Sequence, residues 1–437
     1  MDLNDVQKLS TFDGSENVLI DKNGLFYKAS FGDVLAAMPD SRGVYPDVPL
    51  NRVRITRLVG QQSTVVTISG NTSLIQELLA MCFPCLIDRN AIIQAYLNGS
   101  DVRKTVDGLV ATLDDWTLQN MVRIGGWWKK YSYNAAANEK YFDISPRKVK
   151  GYRYVRRRFL AMNGGTVESH ESKNMLISNS GKWTTQNVSL SNLHAYAKNL
   201  GEHFREHAVQ DQEVYRDMFW LLKGTFNSQS IFAGLTCSDS WWQKVDRSSE
   251  GGASSRGQFH PTGYMNDVAG HEGQKSVTVT NTDGVANTFN AYKFLWIDHL
   301  LAGPYWIWAI GYIKNAGKWY KAKDINTVTT FAVDANYEYL CDECTTEGYI
   351  LEDFEDTLIP TMVGGDASKG HADYYYRAND MNAVYIPALV GGASLGDRCG
   401  VSHLTSHTVA STSDTNSGGA LAADDPTDTV ADGTIAV

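Results

Sequence analysis

The sequence predicts an α+β fold with long loops. Segments in which apolar and polar residues alternate predict strands in the first 70 residues. Apolar residues at helical spacing predict a long helix near the middle of the chain, and a region rich in Gly, Ser and Asn after it predicts extended loops. With 437 residues, 43% of them hydrophobic and 11% aromatic, the chain can build a packed core, which excludes an intrinsically disordered protein.

The first 45 residues are predicted to form a small separate unit. Val18–Ile20 and Leu25–Ala29 alternate as two strands around a turn at Asp21–Gly24, where Lys-Asn-Gly favours a hairpin. A short helix is predicted at Phe31–Met38, and the prolines that follow mark a break in the chain.

Residues 46–85 are predicted to be a connection of strands and one helix. The stretch from Asn51 to Gly70 alternates as two strands do. The segment TSLIQELLAMCF predicts a helix with Thr72 as its N-cap.

The longest predicted helical segment runs from Ser191 to Lys223, is interrupted before Asp211, and ends at Gly224. Apolar residues recur at helical spacing in its second part: Val214, Met218, Leu221 and Leu222. The region from Thr236 to Asn290 is predicted to form long loops, because Gly, Ser and Asn dominate it.

Charge and hydropathy exclude two function classes. The net charge of −10 argues against a general nucleic-acid binder, which needs positive charge to displace counterions. The most apolar window, Phe294 to Tyr312, is interrupted by Asp298 and His299, so it predicts buried core and no membrane span. The start of the chain is polar and acidic and lacks the pattern of a secretion signal.

The six cysteines are too sparse for a disulfide scaffold. Cys82/Cys85 and Cys341/Cys344 have the C-x-x-C spacing that tetrahedral zinc sites use, so structural zinc is an alternative. The favoured interpretation is free thiols in a reducing cytoplasm.

Three segments match sequence patterns of catalytic, nucleic-acid-binding or metal-binding sites, and each also has a simpler interpretation. HFREH, His203 to His207, matches H-x-x-E-H with Glu206 as general base of a metalloenzyme, or is a solvated helix face. Arg147 to Arg158 holds seven basic residues, which suit a nucleic-acid strip or one face of a strand paired with carboxylates. Asp342 to Asp356 is acidic enough to hold calcium, or is a solvated loop. No phosphate-binding loop or paired-carboxylate motif stands out, so no enzyme activity, catalytic residue or cofactor is predicted.

The aromatic cluster in the apolar window is predicted to fill the core. It comprises Trp296, Tyr305, Trp306 and Trp308. The period of two along a strand places Trp306 and Trp308 on one face. The chain from Cys399 onward has no Lys, Arg or aromatic residue, and its composition alone indicates a flexible acidic terminus.

Several segments together resemble one family. VLIDKNGLFYKASFGDVL is similar to the N-terminal unit of tailed-phage fibre and appendage proteins. WLLKGTFNSQSIFAG, GPYWIWAIGYIKN and VYIPALVGGASLGDRCGVSHL resemble the helix end, the Trp strand and the closing stretch of a phage C-type lectin-like domain. Formylglycine-generating enzymes share that fold, but their cysteine pair with four residues between its members is missing here.

The resemblance implies an organisation and a function. Residues 1–45 would attach the chain to other virion proteins, and residues 86–437 would form the lectin-like domain. The chain would be a head- or tail-fibre appendage of a phage virion, assembled in the host cytoplasm as a homotrimer. Its C-terminal domain would bind a host-surface glycan or protein, and neither nucleic acid nor a membrane is expected as a partner. The alternative is a structural capsid-decoration or adaptor protein without a host ligand.

In such proteins the closing stretch displays the ligand-binding residues. The resemblance therefore implies that the C-terminal segment is an exposed binding face and not a flexible end. The candidates lie in the predicted loop after the Gly391–Gly392 pair: Leu395, Asp397, Arg398, Ser402, His403, Thr405, Ser406, His407 and Thr408. Arg398 is the expected anchor, because Arg is enriched among interface hot spots. The alternative is a solvated loop or a subunit interface.

Overall fold

A computed structural model describes residues 17–22, 25–30, 38–60, 64–232, 237–301, 303–378 and 383–437. Nearly all of the predicted helix at Phe31–Met38 lies outside these residues. The predicted hairpin before it is confirmed, since Asn17–Lys22 and Leu25–Ser30 pair antiparallel.

The strands are β1 (Asn17–Lys22), β2 (Leu25–Ser30), β3 (Val53–Leu58), β4 (Thr67–Gly70), β5 (Phe83–Ile87), β6 (Ile93–Asn98), β7 (Asp101–Thr105), β8 (Gln119–Ile124), β9 (Trp127–Asn134), β10 (Glu139–Ser145), β11 (Arg153–Val155), β12 (Arg158–Ala161), β13 (Thr166–His170), β14 (Lys173–Ile177), β15 (Phe204–Glu206), β16 (Glu272–Thr280), β17 (Ala286–Phe294), β18 (Trp306–Trp308), β19 (Tyr312–Asn315), β20 (Lys318–Ala322), β21 (Tyr337–Asp342), β22 (Gly348–Asp353), β23 (Pro360–Val363), β24 (Tyr374–Arg377), β25 (Ile386–Val390), β26 (Gly400–Thr408), β27 (Ser417–Gly418) and β28 (Leu421–Asp424). The helices are α1 (Leu74–Ala80), α2 (Leu190–Leu200), α3 (Val209–Lys223) and α4 (Asp239–Trp242), with short 3₁₀ turns at Pro49–Asn51, Ser248–Glu250, Ile325–Thr327 and Ala393–Arg398.

The fold is mostly β-sheet, with 38% of residues in strands and 13% in helices, so the α+β prediction is wrong. The region predicted as long loops, Thr236 to Asn290, contains β16 and part of β17, which form a hairpin. Elsewhere, segments that look like loops in sequence are short strands whose partners lie far along the chain, such as β12 and β28. The long predicted helix is also divided, because β15 lies between α2 and α3. Local sequence patterns detect neither effect, since both depend on pairing with distant residues.

Three larger sheets organise the molecule. One has the order β11-β9-β10-β3-β4 and is antiparallel throughout. The first seven-stranded sheet has the order β15-β28-β12-β8-β5-β6-β7, and the second has the order β23-β22-β24-β26-β25-β18-β27. β19, β20 and β21 form a small sheet, while β13/β14 and β16/β17 are two-stranded. The residues between 46 and 85 therefore contribute strands to two of the larger sheets.

Helix α3 is buried along nearly its whole length, from Val209 to Leu221. Its apolar residues join a core cluster with Trp127 and Phe142, and its polar residues form buried ion pairs. The predicted end at Gly224 is confirmed, since this residue has φ 64° and closes the helix in the left-handed region. A second core cluster contains Phe159, Leu193 and Trp308.

The aromatic prediction for the apolar window is confirmed in part. Tyr305 and Trp308 are buried, whereas Trp296 and Trp306 are half-buried and pack against the edges of the core clusters. No helix in the described part of the chain is both long enough and apolar enough to cross a lipid bilayer.

Candidate functional site

Three strands of the second seven-stranded sheet, β18, β22 and β24, bring partly exposed aromatic side chains together. Tyr374 and Tyr376 alternate with the buried Tyr375 along β24, as the period of two requires. Tyr349 on β22 is the register partner of Tyr374. Trp306 on β18 is half-exposed at the other side of the group. With two further side chains they form what we call the aromatic surface: Trp306, Tyr349, Tyr374, Tyr376, Arg398 and His407.

The rings of the aromatic surface form a continuous row. Ring centroids are 5.3 Å apart for Tyr349 and Tyr374, 4.5 Å for Tyr374 and Tyr376, and 6.1 Å for Tyr376 and Trp306. The ring of His407 lies 5.7 Å from Trp306. These spacings fall in the range in which aromatic pairs stabilise each other. The rings therefore hold one another in place without complete burial.

Arg398 is fixed on top of this row. Its guanidinium carbon lies 4.9 Å from the centroid of the Tyr374 ring, and its Nη1 donates a hydrogen bond to the Tyr376 hydroxyl at 2.9 Å. The bond to Tyr376 raises the pKa of Arg398 further above its usual range, so the side chain stays charged. Beside it, the Tyr349 hydroxyl donates to Asp397 at 3.1 Å.

His403 supports the aromatic surface from below. Its ring lies 5.1 Å from Trp306 and 5.8 Å from Tyr376, and its side chain is fully buried. Nδ1 donates to the Arg398 carbonyl at 2.7 Å, which ties β26 to the turn that carries Arg398. Burial lowers the pKa of His403 to about 4, so the ring is neutral at physiological pH.

The predicted display loop needs correction, because its second half is strand β26. Ser402, His403, Thr405 and Ser406 are buried there, between β24 and β25. Several of their polar atoms make internal hydrogen bonds, whereas Ser402 Oγ and His403 Nε2 have no partner among the described residues. The Ser402 N–H donates to Asp373 at 2.7 Å, and Ser406 Oγ lies 3.1 Å from the Tyr375 hydroxyl.

The other predicted residues remain near the surface. Leu395, Asp397 and Arg398 lie in the 3₁₀ turn before β26, and His407 and Thr408 lie at the end of that strand. Asp397, Arg398 and His407 are exposed, whereas Leu395 and Thr408 are half-buried. The structure thus brings Arg398 and His407 into the aromatic surface, with Asp397 at its edge.

Sequence reasoning missed the three tyrosines and assigned Trp306 to the core. The signal for Tyr374 and Tyr376 was available in the run Tyr-Tyr-Tyr-Arg. A strand there must turn its first and third rings to one face and the second to the other. No local pattern predicts the pairing of Tyr349 with Tyr374, because 24 residues lie between them along the chain.

The metalloenzyme interpretation of HFREH is not supported by the geometry. The segment forms β15 and its flanks, where Glu206 and His207 are buried and His203 is partly exposed. Glu206 accepts a hydrogen bond from the Ala420 N–H at 2.8 Å, and burial raises its pKa well above the usual range. Among the described residues, no group of three or more His, Cys, Asp or Glu side chains could hold a metal ion. All six cysteines are unpaired thiols.

The last three arginines of the basic run, Arg156 to Arg158, are paired with the chain's own acidic tail. Arg156 pairs with Asp424 at 3.1 Å, and Arg158 pairs with Asp432 at 3.2 Å. The Arg157 N–H donates to Asp428 at 2.8 Å. The expectation of a flexible tail is therefore wrong, since β28 lies inside a sheet and the aspartates beyond it bind the basic run. The acidic stretch before residue 357 is likewise paired, for example between Asp356 and Arg153.

A cleft of about 620 Å³ lies beside this tail. Its walls carry charges of both signs, and most of these charges are already engaged in ion pairs, such as Arg158 with Asp211 at 3.1 Å. Other charged residues of the lining form no ion pair with the described residues, namely Glu213, Lys321, Lys323, Asp324, Glu338 and Glu355.

No protein-family model matches this chain, and a search of curated proteins finds no match either.

Proposed function

We propose that this chain is a structural protein of a phage virion, a head- or tail-fibre appendage, and that its aromatic surface binds the host surface. The observation that carries the proposal is the row of partly exposed Tyr and Trp rings with the charged Arg398 fixed above it. The resemblance of the sequence to phage appendage proteins supports the same function.

The composition of the aromatic surface suits recognition. Tyr, Trp and Arg are the residues most enriched among interface hot spots. Ring contacts and hydrogen bonds between these side chains restrict them before any ligand arrives, so binding loses less conformational entropy. We propose a binding role and no catalytic one, because Arg398 and Asp397 are held by tyrosine hydroxyls.

The proposal includes an assembly. Residues 1–45 would attach the chain to other virion proteins, and three copies would present three aromatic surfaces. Linking weak sites on one particle raises avidity by about 10²–10⁴ when the geometry allows simultaneous contact.

The double variant Tyr374→Ala/Tyr376→Ala tests this function. We expect particles that carry it to assemble normally and to adsorb to host cells at least about tenfold more slowly, since hot-spot side chains each contribute 2 kcal/mol or more. The matched control is Tyr133→Ala/Tyr339→Ala, which removes two tyrosines that are 51% and 54% exposed elsewhere on the molecule. If particles with the Tyr374/Tyr376 variant assemble normally and adsorb as fast as the parent, the receptor-binding role is wrong. The alternative, a structural appendage without a host ligand, would then stand in its place.

A further inference from the structure

Arg398 differs from Arg377, the arginine at the end of β24 in the second seven-stranded sheet. Arg377 has the carboxylate of Glu343 at 3.2 Å. Within the part of the chain that the structure describes, no carboxylate lies within ion-pair distance of Arg398, although the side chain is exposed. The neighbouring Asp397 is engaged instead by the Tyr349 hydroxyl. An unpaired, immobilised guanidinium on a recognition surface calls for an anionic partner.

The geometry around Arg398 leaves donors for such a partner. A guanidinium has five N–H donors in a planar fork. The hydrogen bond to Tyr376 uses one of them, and the Tyr349 hydroxyl is a second hydrogen-bonding neighbour, so donors remain. The Tyr374 ring under the guanidinium restrains its plane. A planar fork held in this way matches a carboxylate, which accepts two parallel hydrogen bonds.

The rings beside Arg398 define what should be attached to that carboxylate. Each member of the aromatic surface has a planar face and a polar tip, and none is aliphatic. Neighbouring rings lie 4.5–6.1 Å apart, which is comparable with the size of one sugar ring. A sugar ring also combines an apolar C–H face with a polar rim, so it complements this surface better than the aliphatic side chains of a protein partner.

We propose that the aromatic surface binds a saccharide that carries a carboxylate, with Arg398 holding the carboxylate and the tyrosine rings packing against the sugar face. This inference rests on the proposed function and names its ligand class.

Binding of the purified full-length chain to defined saccharides tests the inference. The probes are oligosaccharides that contain hexuronic or sialic acid, together with the same oligosaccharides after reduction of each carboxyl group to an alcohol. We expect the parent chain to bind at least one acidic probe at least tenfold more tightly than its reduced form. Arg398→Gln should lose this preference and bind the acidic probe no more tightly than its reduced form.

Two further variants distinguish the specific role of the Arg398 guanidinium from general effects of charge and folding. Arg398→Lys keeps the charge without the planar fork, so we expect it to retain only part of the preference. Arg42→Gln removes an exposed arginine elsewhere and should bind as the parent does. All variants should melt within a few degrees of the parent, because Arg398 is exposed.

Several outcomes would overturn the inference while the proposed function stands. They are equal binding of acidic and reduced probes, an Arg398→Gln chain that keeps the full preference, and host-cell binding that protease abolishes but periodate oxidation of sugars leaves intact. The last would identify a protein ligand. Absence of binding to every acidic probe would also count against the saccharide. The proposed function itself fails only if Tyr374→Ala/Tyr376→Ala leaves adsorption unchanged.

Discussion

At the scale of single residues, burial decides the charge state of groups that look chemically active in sequence. Glu206 is fully buried, and its Oε1 accepts the Ala420 N–H at 2.8 Å, while Oε2 has no partner among the described residues. Burial raises the pKa of Glu206 well above its usual value of 4.5. Its carboxyl therefore favours the protonated form inside the protein, which is the opposite of what a general base requires.

Glu206→Gln should make the stability of the protein less dependent on pH. A carboxyl with a higher pKa in the folded state binds its proton better there, so its contribution to stability is complete below the unfolded pKa of about 4.5 and is lost as pH rises towards the folded pKa. Glutamine carries no such penalty. We expect the variant to be more stable than the parent at pH 7 and to lose this advantage near pH 4, as measured by urea unfolding at both pH values. A stability difference that is the same at both pH values would show that burial does not shift this pKa.

At the scale of elements, the C-terminal tail completes the first seven-stranded sheet. β28 lies between β15 and β12, and the residues after it cover the basic run. Asp428 accepts both the Tyr154 hydroxyl and the Arg157 N–H at 2.8 Å. Ala436 is buried in a small cluster with Trp128 and Tyr152. The tail is thus part of the folded body.

Removal of residues 425–437 should destabilise the protein strongly even though β28 remains. The deletion takes Asp425 from the largely buried Arg123 and Asp428 from Tyr154, and leaving a buried ion without its partner costs about 3–5 kcal/mol. We expect loss of soluble protein or a much lower denaturation midpoint. Deletion of Val437 alone, which is 71% exposed, should leave the midpoint unchanged. A truncated chain that unfolds at the parent's midpoint would mean that the tail only covers the surface.

Elements with local signals could be predicted from the sequence, and those that depend on distant partners could not. The β1/β2 hairpin, helix α1 and the end of α3 at Gly224 each carry their own turn, cap or spacing pattern. The sequence of β15 resembles a polar helix. Its strand conformation has no local signal, because its partner β28 follows more than two hundred residues later. More than two hundred residues along the chain likewise separate Arg156 from Asp424. At the candidate site, Arg398 was predictable from residue type, but the tyrosines beneath it come from strands that only the fold brings together.

At the scale of the whole molecule, helix α3 joins the three larger sheets through buried charges. Asp211 pairs with Arg158 on β12 at 3.1 Å, in the first seven-stranded sheet. Asp217 pairs with Lys129 on β9, in the five-stranded sheet. Arg216 reaches Asp353 at the end of β22, in the second seven-stranded sheet, at 3.5 Å. The helix therefore fixes the relative positions of sheets that share few direct strand contacts, including the sheet that carries the aromatic surface.

Asp353→Asn should weaken this junction more than any exposed ion pair could. The Asp353 carboxylate also lies 3.2 Å from Arg57 on β3 and 3.3 Å from His371, and all of these side chains are at most 2% exposed. Burial opposes its ionisation, but the charge of Arg57 still holds the pKa of Asp353 well below its usual range. The neutral amide would leave Glu352 as the carboxylate partner of Arg57 and Asp217 as that of Arg216. We therefore expect a cost at the lower end of about 3–5 kcal/mol in the free energy of unfolding.

Urea unfolding at pH 7, followed by tryptophan fluorescence, measures this cost. The matched control is Asp283→Asn, which breaks an exposed pair with Lys244 whose side chains are both 49% exposed. Such a pair contributes less than about 1 kcal/mol, because water and salt screen it. If Asp353→Asn costs no more than Asp283→Asn, packing of the apolar clusters alone holds the sheets together. If it costs the larger amount and also weakens host-cell binding, the junction at α3 positions the aromatic surface as well as stabilising the fold.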